Sequence, residues 1–167
     1  MAIQTKRYIK CDDYKSLSLD LMYEGNKEVL DNLDYDLEAI INTEGPLTYN
    51  TLKERLREAF GVAKISGKAL DVIIPHLKSF EFMETDNLFD KVIWPDRGVY
   101  NIDYVRMGYE RQIYDIPREE IQNVLIEYYN EGLRKEELFH KVLNFFGYSV
   151  LTKKALEYLE FVLKKMK

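Results

Sequence analysis

One phrase in this chain occurs twice. Leu52, Leu56, Phe60 and Gly61 recur as Leu138, Val142, Phe146 and Gly147, at a constant offset of 86 residues. Residues 47–81 align with 133–167 without a gap, and nine of the 35 pairs are identical. Those nine are Leu47, Leu52, Phe60, Gly61, Lys68, Ala69, Leu70, Leu77 and Lys78. Most are core or helix-stop positions, the ones a duplicated helical unit must keep to rebuild its interior. A chain built this way has to form two small cores.

Periodicity then places the elements of each copy. Leu33, Leu37, Ile40 and Ile41 share one helical face, and Gly45-Pro46 ends that helix. A second helix follows, capped by Thr48 or Asn50, with Leu52, Leu56, Ala59 and Phe60 inward and Gly61 as its stop. A third starts near Ser66 and turns Ala69, Leu70, Ile73 and Leu77 inward. Pro75 removes a hydrogen bond inside it, so a kink or an early end is expected there. The period then changes. FEFME (80–84) and LFDKVIW (88–94) read as two strands joined by turn residues Thr85-Asp86-Asn87, a β-hairpin.

Helix, helix, helix, hairpin is the order of a winged helix-turn-helix, in which the third helix can enter the DNA major groove and the hairpin is the wing. The repeat restarts at Pro117, followed by Glu119 and Glu120, where acids favour a helix N-terminus. Ile121, Val124, Leu125 and Tyr128 face inward, and Gly132 closes the helix. The next helix carries Leu138, Val142, Phe145 and Phe146. The last runs from Thr152 with Ala155, Leu156, Leu159 and Leu163 inward. The expected fold is α+β, mainly α: an acidic lead-in (1–32), a winged-helix-like unit (33–95), a connection (96–116) and a second three-helix unit (117–167) without a complete wing. Within the connection, GVYNIDYVRM is expected to hold a short strand.

Charge limits the functions available. The net charge is −5, and residues 1–45 account for all of it, with five Lys/Arg against ten Asp/Glu. No whole-chain basic footprint for nucleic acid exists, so any such contact has to be a local face. Cys11 is the only cysteine, which excludes an internal disulfide and a thiolate zinc site. No segment has the composition of a secretory leader or a membrane span. A soluble cytoplasmic protein is expected; whether Met1 is a native start, and which oligomer forms, the residues leave open.

The stretches INTEGPLTYNTLKERLREAFGV (41–62), VIWP (92–95), RQIYDIPREEI (111–121) and LFHKVLNFFGY (138–148) occur in this order. In them the chain resembles the uncharacterised C-terminal domain of large bacterial proteins that join a superfamily-1 helicase-like ATPase to a Vsr-like endonuclease-type domain. The resemblance implies an accessory role beside helicase or nuclease domains and implies no catalytic residues. That family tends to place basic residues just after the helix-ending glycine. Here only Lys64 answers in the first copy, and nothing does in the second.

The candidate contacts are Lys64, Ser66 and Lys68 at the start of the third helix, with Lys53 beside them and Lys91 on the wing. Amides at a helix N-terminus, a hydroxyl and lysines suit DNA phosphates. Arg55, Arg57 and Lys78 are possible additions to that face, interleaved with Glu54, Glu58 and Asp71. The expected function is a non-enzymatic module for duplex or forked DNA, without cofactor, metal or membrane. The alternative is a protein-interaction or dimerisation module. The remaining chemistry-bearing residues read as structural. His76 and His140 lack partners at ligand spacing, Asp12-Asp13 reads as loop, and the terminal KKMK with Lys153 and Lys154 suits a helix C-terminus. Arg97, Arg106 and Arg111 are expected to pin the connection to the acidic first third.

Overall fold

The computed structural model describes residues 3–95 and 100–166. Arg97 and Lys167 therefore lie outside the described residues. The chain is α+β and mainly helical, with seven α-helices and two small sheets among those residues. It forms two compact units. The first comprises Ile9–Thr85 and Lys91–Tyr100; the second comprises Met1–Tyr8, Asp86–Asp90 and Asn101–Lys167. Strand β1 (Thr5–Arg7) opens the chain and belongs to the second unit.

The first unit begins with α1 (Leu19–Tyr23) and α2 (Lys27–Glu44). Helix α2 starts a turn and a half before Leu33, because the Asn26 side chain accepts the Val29 N–H at 3.1 Å and Val29 is itself buried. Leu33, Leu37, Ile40 and Ile41 are fully buried along it. Residues 9–32 are not a detached lead-in: Cys11, Leu17 and Met22 pack into the same core. Gly45 ends α2 with an extended backbone, and a Cβ there would lie 2.5 Å from the Ile41 carbonyl oxygen and 2.6 Å from Pro95 Cδ. Glycine is the residue that fits.

Strand β2 (Leu47–Thr48) leads into α3 (Tyr49–Phe60), whose N-cap is Thr48, accepting the Thr51 N–H at 3.2 Å. Gly61 closes α3 in the left-handed region at φ 67°. Helix α4 (Gly67–Ser79) is capped by Ser66 and runs unbroken through Pro75. The early end allowed for at Pro75 does not occur. Ala69 and Ile73 before the proline and Leu77 after it are all buried, so packing on both sides offsets the lost backbone bond, a cost of roughly 3 kcal/mol. Leu70 is half-buried.

The hairpin is shifted from its expected place. Phe80 caps α4, Glu81 turns the chain at φ 58°, and β3 spans Met83–Asp86. The turn lies at 87–90, where the Asn87 N–H donates to the Asp90 carbonyl at 2.9 Å, and β4 is Lys91–Trp94. The sheet order is β2-β4-β3, with β2 antiparallel to β4 in the register Leu47↔Ile93 and Thr48↔Val92.

In the second unit β1 pairs in parallel with β5 (Val105–Met107), so the connection does hold a strand. A 3-10 turn (Ile113–Asp115) precedes α5 (Arg118–Asn130). Pro117 stands at the cap position, just outside the first turn where the sequence suggested it. Helix α6 (Lys135–Phe145) and α7 (Lys153–Lys165) follow, with Gly147 at φ 89° after α6 and Thr152 capping α7. Ile121, Val124, Leu125, Leu138, Val142 and Leu159 are fully buried, joined by Phe139, Leu143, Tyr158 and Val162. Tyr128, Phe145, Phe146, Leu156 and Leu163 are only half-buried.

Candidate nucleic-acid interface

The turn between α3 and α4 brings part of the expected basic face together. A cleft of about 200 Å³ is lined by Asn50, Lys53, Glu54, Arg57 and Lys64 with Ala63 and Ile65. Among the described residues neither Lys53 nor Lys64 is paired with an acid. Arg57 is held by Glu54, Nε to Oε2 at 3.2 Å, and also donates to the Val62 carbonyl at 3.4 Å. Ser66 is exposed, and its hydroxyl oxygen accepts the Ala69 N–H at 3.2 Å, so its lone pair is already used as a helix cap. Lys68 is exposed, with Nζ 4.2 Å from the Tyr23 ring centroid. Lys91 is exposed at the start of β4 and does not line the cleft.

Two further candidates leave the face. Arg55 is buried on the opposite side of α3. Its Nε and Nη2 grip the Glu44 carboxylate at 2.7 and 2.8 Å, and the Cys11 N–H donates to the same group at 3.1 Å. Lys78 pairs with Glu84 of β3, which also accepts the Tyr49 hydroxyl. Burial pushes the Glu84 carboxyl up, but Lys78, Tyr49 and Lys91 outweigh it and hold it below the ordinary carboxylate range.

The arginines of the connection find a different partner from the one expected. Arg106 and Arg111 both grip Glu120, in the first turn of α5. Arg106 Nε lies 2.8 Å from Oε1, and Arg111 Nη1 and Nη2 lie 3.0 and 2.8 Å from Oε1 and Oε2. All three residues are buried. Their guanidinium carbons sit 5.1 and 4.8 Å from the Tyr8 ring centroid, and Tyr109 stacks on Tyr8. Burial raises the Glu120 carboxyl, and the charges and hydrogen bonds of Arg111 and then Arg106 more than reverse this, so it titrates below its ordinary value. Glu120 does stand in the first turn of α5, as the sequence suggested, and it also ties the connection to that helix. Its neighbour Glu119 is also buried, its Oε2 has no hydrogen-bond partner, and burial pushes its carboxyl up.

The cluster borders a cleft of about 240 Å³ that includes Tyr109, Glu110, Phe146 and Tyr148. The Tyr148 hydroxyl is buried there without a partner. Sequence reasoning missed this arrangement because Glu120 lies 14 and 9 residues from its arginines, a spacing no local pattern marks.

His76 does meet a carboxylate, Asp34, with Nδ1 2.7 Å from Oδ1 across 42 residues. His140 is exposed on α6. Asp12 and Asp13 are exposed in a loop, where Asp13 accepts the Tyr35 hydroxyl at 3.0 Å. Lys154 stands over the Tyr114 ring at 3.7 Å, and Lys164 and Lys165 occupy the last turn of α7. Among the described residues no group of three His, Cys, Asp or Glu is placed to hold a metal ion, and no helix is long and apolar enough to cross a membrane. Comparison of the chain with protein-family models, with curated proteins and with solved structures finds no match.

Proposed function

We propose that the chain is a tandem of winged-helix-like units and that the first docks on duplex or forked DNA as a non-enzymatic accessory module. Support for the architecture comes from element order. Helix α2, strand β2, helices α3 and α4, and then the β3–β4 hairpin follow one another, with the middle place in the sheet taken by β4. Support for the duplication comes from boundaries: α4 spans Gly67–Ser79 and α7 spans Lys153–Lys165, both ends 86 residues apart.

One observation carries the nucleic-acid reading. Lys53 and Lys64 line a single cleft at the mouth of α4, and among the described residues neither is ion-paired, the Glu54 of that cleft being held by Arg57. A buried or paired lysine has nothing to offer a phosphate; an uncompensated pair beside a helix N-terminus does. Lys68 extends the row by one turn, the Ser66 hydroxyl can still donate its proton, and Lys91 is the wing's contribution. The resemblance to helicase-associated C-terminal domains supplies the setting, in which the module helps an ATPase or nuclease engage its substrate.

Fluorescence anisotropy against duplex, forked and single-stranded DNA at stepped salt tests this. Each phosphate neutralised contributes about −0.9 to the slope of log K against log salt on duplex. The four lysines, Lys53, Lys64, Lys68 and Lys91, predict a slope near −3.6, give or take about one. Absence of salt-sensitive binding at about 10⁻⁴ M protein, the weak end of nonspecific affinity, would remove the proposal.

A second reading, a protein-interaction module, is favoured by one observation. The second unit exposes a groove of about 540 Å³ with Leu138, Phe139, Leu156 and Leu163 in its lining.

A further inference from the structure

The cleft beside the Glu120 cluster holds donors that the fold leaves unmet, and all of its lining belongs to the second unit. Arg111 lines it with a side chain only 5% exposed. Its Nη1 and Nη2 donate to Glu120, and Nη2 donates again to the Arg106 carbonyl, but its Nε–H makes no hydrogen bond among the described residues. The Tyr148 hydroxyl, buried in the same cleft, has no partner either. Burial raises that hydroxyl, Glu110 adds to the rise and Arg111 opposes it, so it is protonated at neutral pH and feels both charges. A buried donor left without an acceptor costs more than a typical hydrogen bond gains, and a group in that state in a cleft is matched by a ligand that brings the acceptor.

Glu110 also lines the cleft but is exposed, and among the described residues it makes no ion pair. The cleft is therefore polarised, with unmet donors in its wall and a solvated carboxylate at its rim. Tyr109 and Phe146 add apolar surface. At about 240 Å³ the cleft has the room of roughly eight waters, below the roughly 300–1,000 Å³ of sites for drug-sized ligands. It suits one molecule of about ten non-hydrogen atoms and is too small to enclose a nucleotide or a length of peptide.

We infer that this cleft binds a free amino acid with an apolar side chain, its carboxylate on Arg111 and the Tyr148 hydroxyl and its ammonium on Glu110. A carboxylate is the planar acceptor that a guanidinium edge and a phenol both match. The lining decides against simpler ligands. A plain carboxylate faces the Glu110 charge with nothing to offset it, and a plain amine leaves the Arg111 and Tyr148 donors unmet. The apolar side chain lies against Tyr109 and Phe146. Nothing in this inference rests on DNA docking, which concerns the other unit.

The test titrates the full ¹⁵N-labelled chain with L-leucine, with 4-methylpentanoate, which lacks the ammonium, and with 3-methylbutylamine, which lacks the carboxylate. Each is taken to about 10 mM, enough to come near saturation of a Kd of about 1 mM. Leucine should give saturable shifts at amides of 107–111 and 146–148. 4-Methylpentanoate should bind about threefold more weakly, the scale of an exposed ion pair. 3-Methylbutylamine should bind at least about tenfold more weakly, having lost hydrogen bonds to a charged group. Glu110→Gln should erase the preference for leucine over 4-methylpentanoate. Tyr148→Phe should weaken both carboxylates about tenfold while Tm holds or rises, because the hydroxyl has no partner in the fold to lose. A Tyr148 that serves the fold alone would leave binding untouched. No saturable shifts with leucine, shifts centred outside the cleft, or wild-type leucine affinity in Tyr148→Phe would overturn the proposal, as would a Glu110→Gln chain that keeps its preference for leucine. Should Tyr148→Phe fail to fold, the Glu110→Gln comparison at an exposed position decides alone.

Discussion

Ser66 and Thr152 make the same hydrogen bond 86 residues apart. The Ser66 hydroxyl oxygen accepts the Ala69 N–H at 3.2 Å, and the Thr152 hydroxyl oxygen accepts the Ala155 N–H at 3.1 Å. Each satisfies one of the amides that a helix start leaves without a partner. The two caps therefore make matched contributions. Ser66→Ala and Thr152→Ala should each cost about 1 kcal/mol, with Asp at either site retaining most of it, as read from urea denaturation. A cost confined to one site would mean that the two helix starts are not equivalent.

Glu120 should behave as a keystone of the second unit. Removing its carboxylate takes away the buried counter-ion that Arg106 and Arg111 share, which costs about 3–5 kcal/mol. Glu120→Ala is therefore expected to unfold the second unit at far lower denaturant than wild type. The pH dependence follows in sign from its depressed carboxyl. The folded form holds the proton less tightly than the unfolded form, so the stabilisation is complete above the ordinary value of 4.5 and is lost as pH falls through the folded value. Thermal denaturation between about pH 5 and pH 3 checks this, and an acid-insensitive second unit would contradict it.

Glu119 predicts the opposite behaviour. Its carboxyl is raised from 4.5 by burial and one oxygen has no partner, so at neutral pH its charge opposes folding. Glu119→Gln should raise the melting temperature at pH 7, and the gain should shrink as pH falls through the raised folded value and be gone below 4.5, where the carboxyl is neutral both folded and unfolded. A uniform gain at all pH values would point to packing instead of charge.

Two glycines should respond differently to alanine. Gly61 holds φ 67° with open space around its missing Cβ, so Gly61→Ala should cost only the strain of a left-handed residue, about 1 kcal/mol. At Gly45 the added carbon meets backbone at 2.5 Å, and something must move. Gly45→Ala is expected to destabilise the first unit by more than Gly61→Ala, measured on the same denaturation curve.

How much of this was legible in the sequence depended on distance along the chain. Helix stops and caps are local chemistry, so Thr48, Gly61, Ser66, Gly147 and Thr152 stand where the residues indicated. Apolar faces were legible for the same reason, although period alone does not tell Leu70 and Leu156, half-buried, from Ile73 and Leu159, fully buried. The N-terminal third was opaque because Cys11, Leu17 and Met22 enter the core singly, from loops and a short helix, and leave no period to read. Of the expected DNA contacts, Lys53 and Lys64 line one cleft, while Arg55 and Lys78 proved to be committed to acids at 44 and 84. Nothing in a one-dimensional pattern distinguishes a lysine with a counter-ion from one without.

The central claim is that unpaired lysines at the mouth of α4 meet DNA phosphates, and the most direct measurement is a ¹⁵N chemical-shift titration of the full chain with a short duplex at low salt. The account predicts salt-reversible shifts centred on residues 50–57 and 63–69, lost together in a Lys53→Glu, Lys64→Glu double variant. Shifts centred elsewhere, or none at protein and DNA concentrations of about 10⁻⁴ M, the weak end of nonspecific affinity, would contradict it.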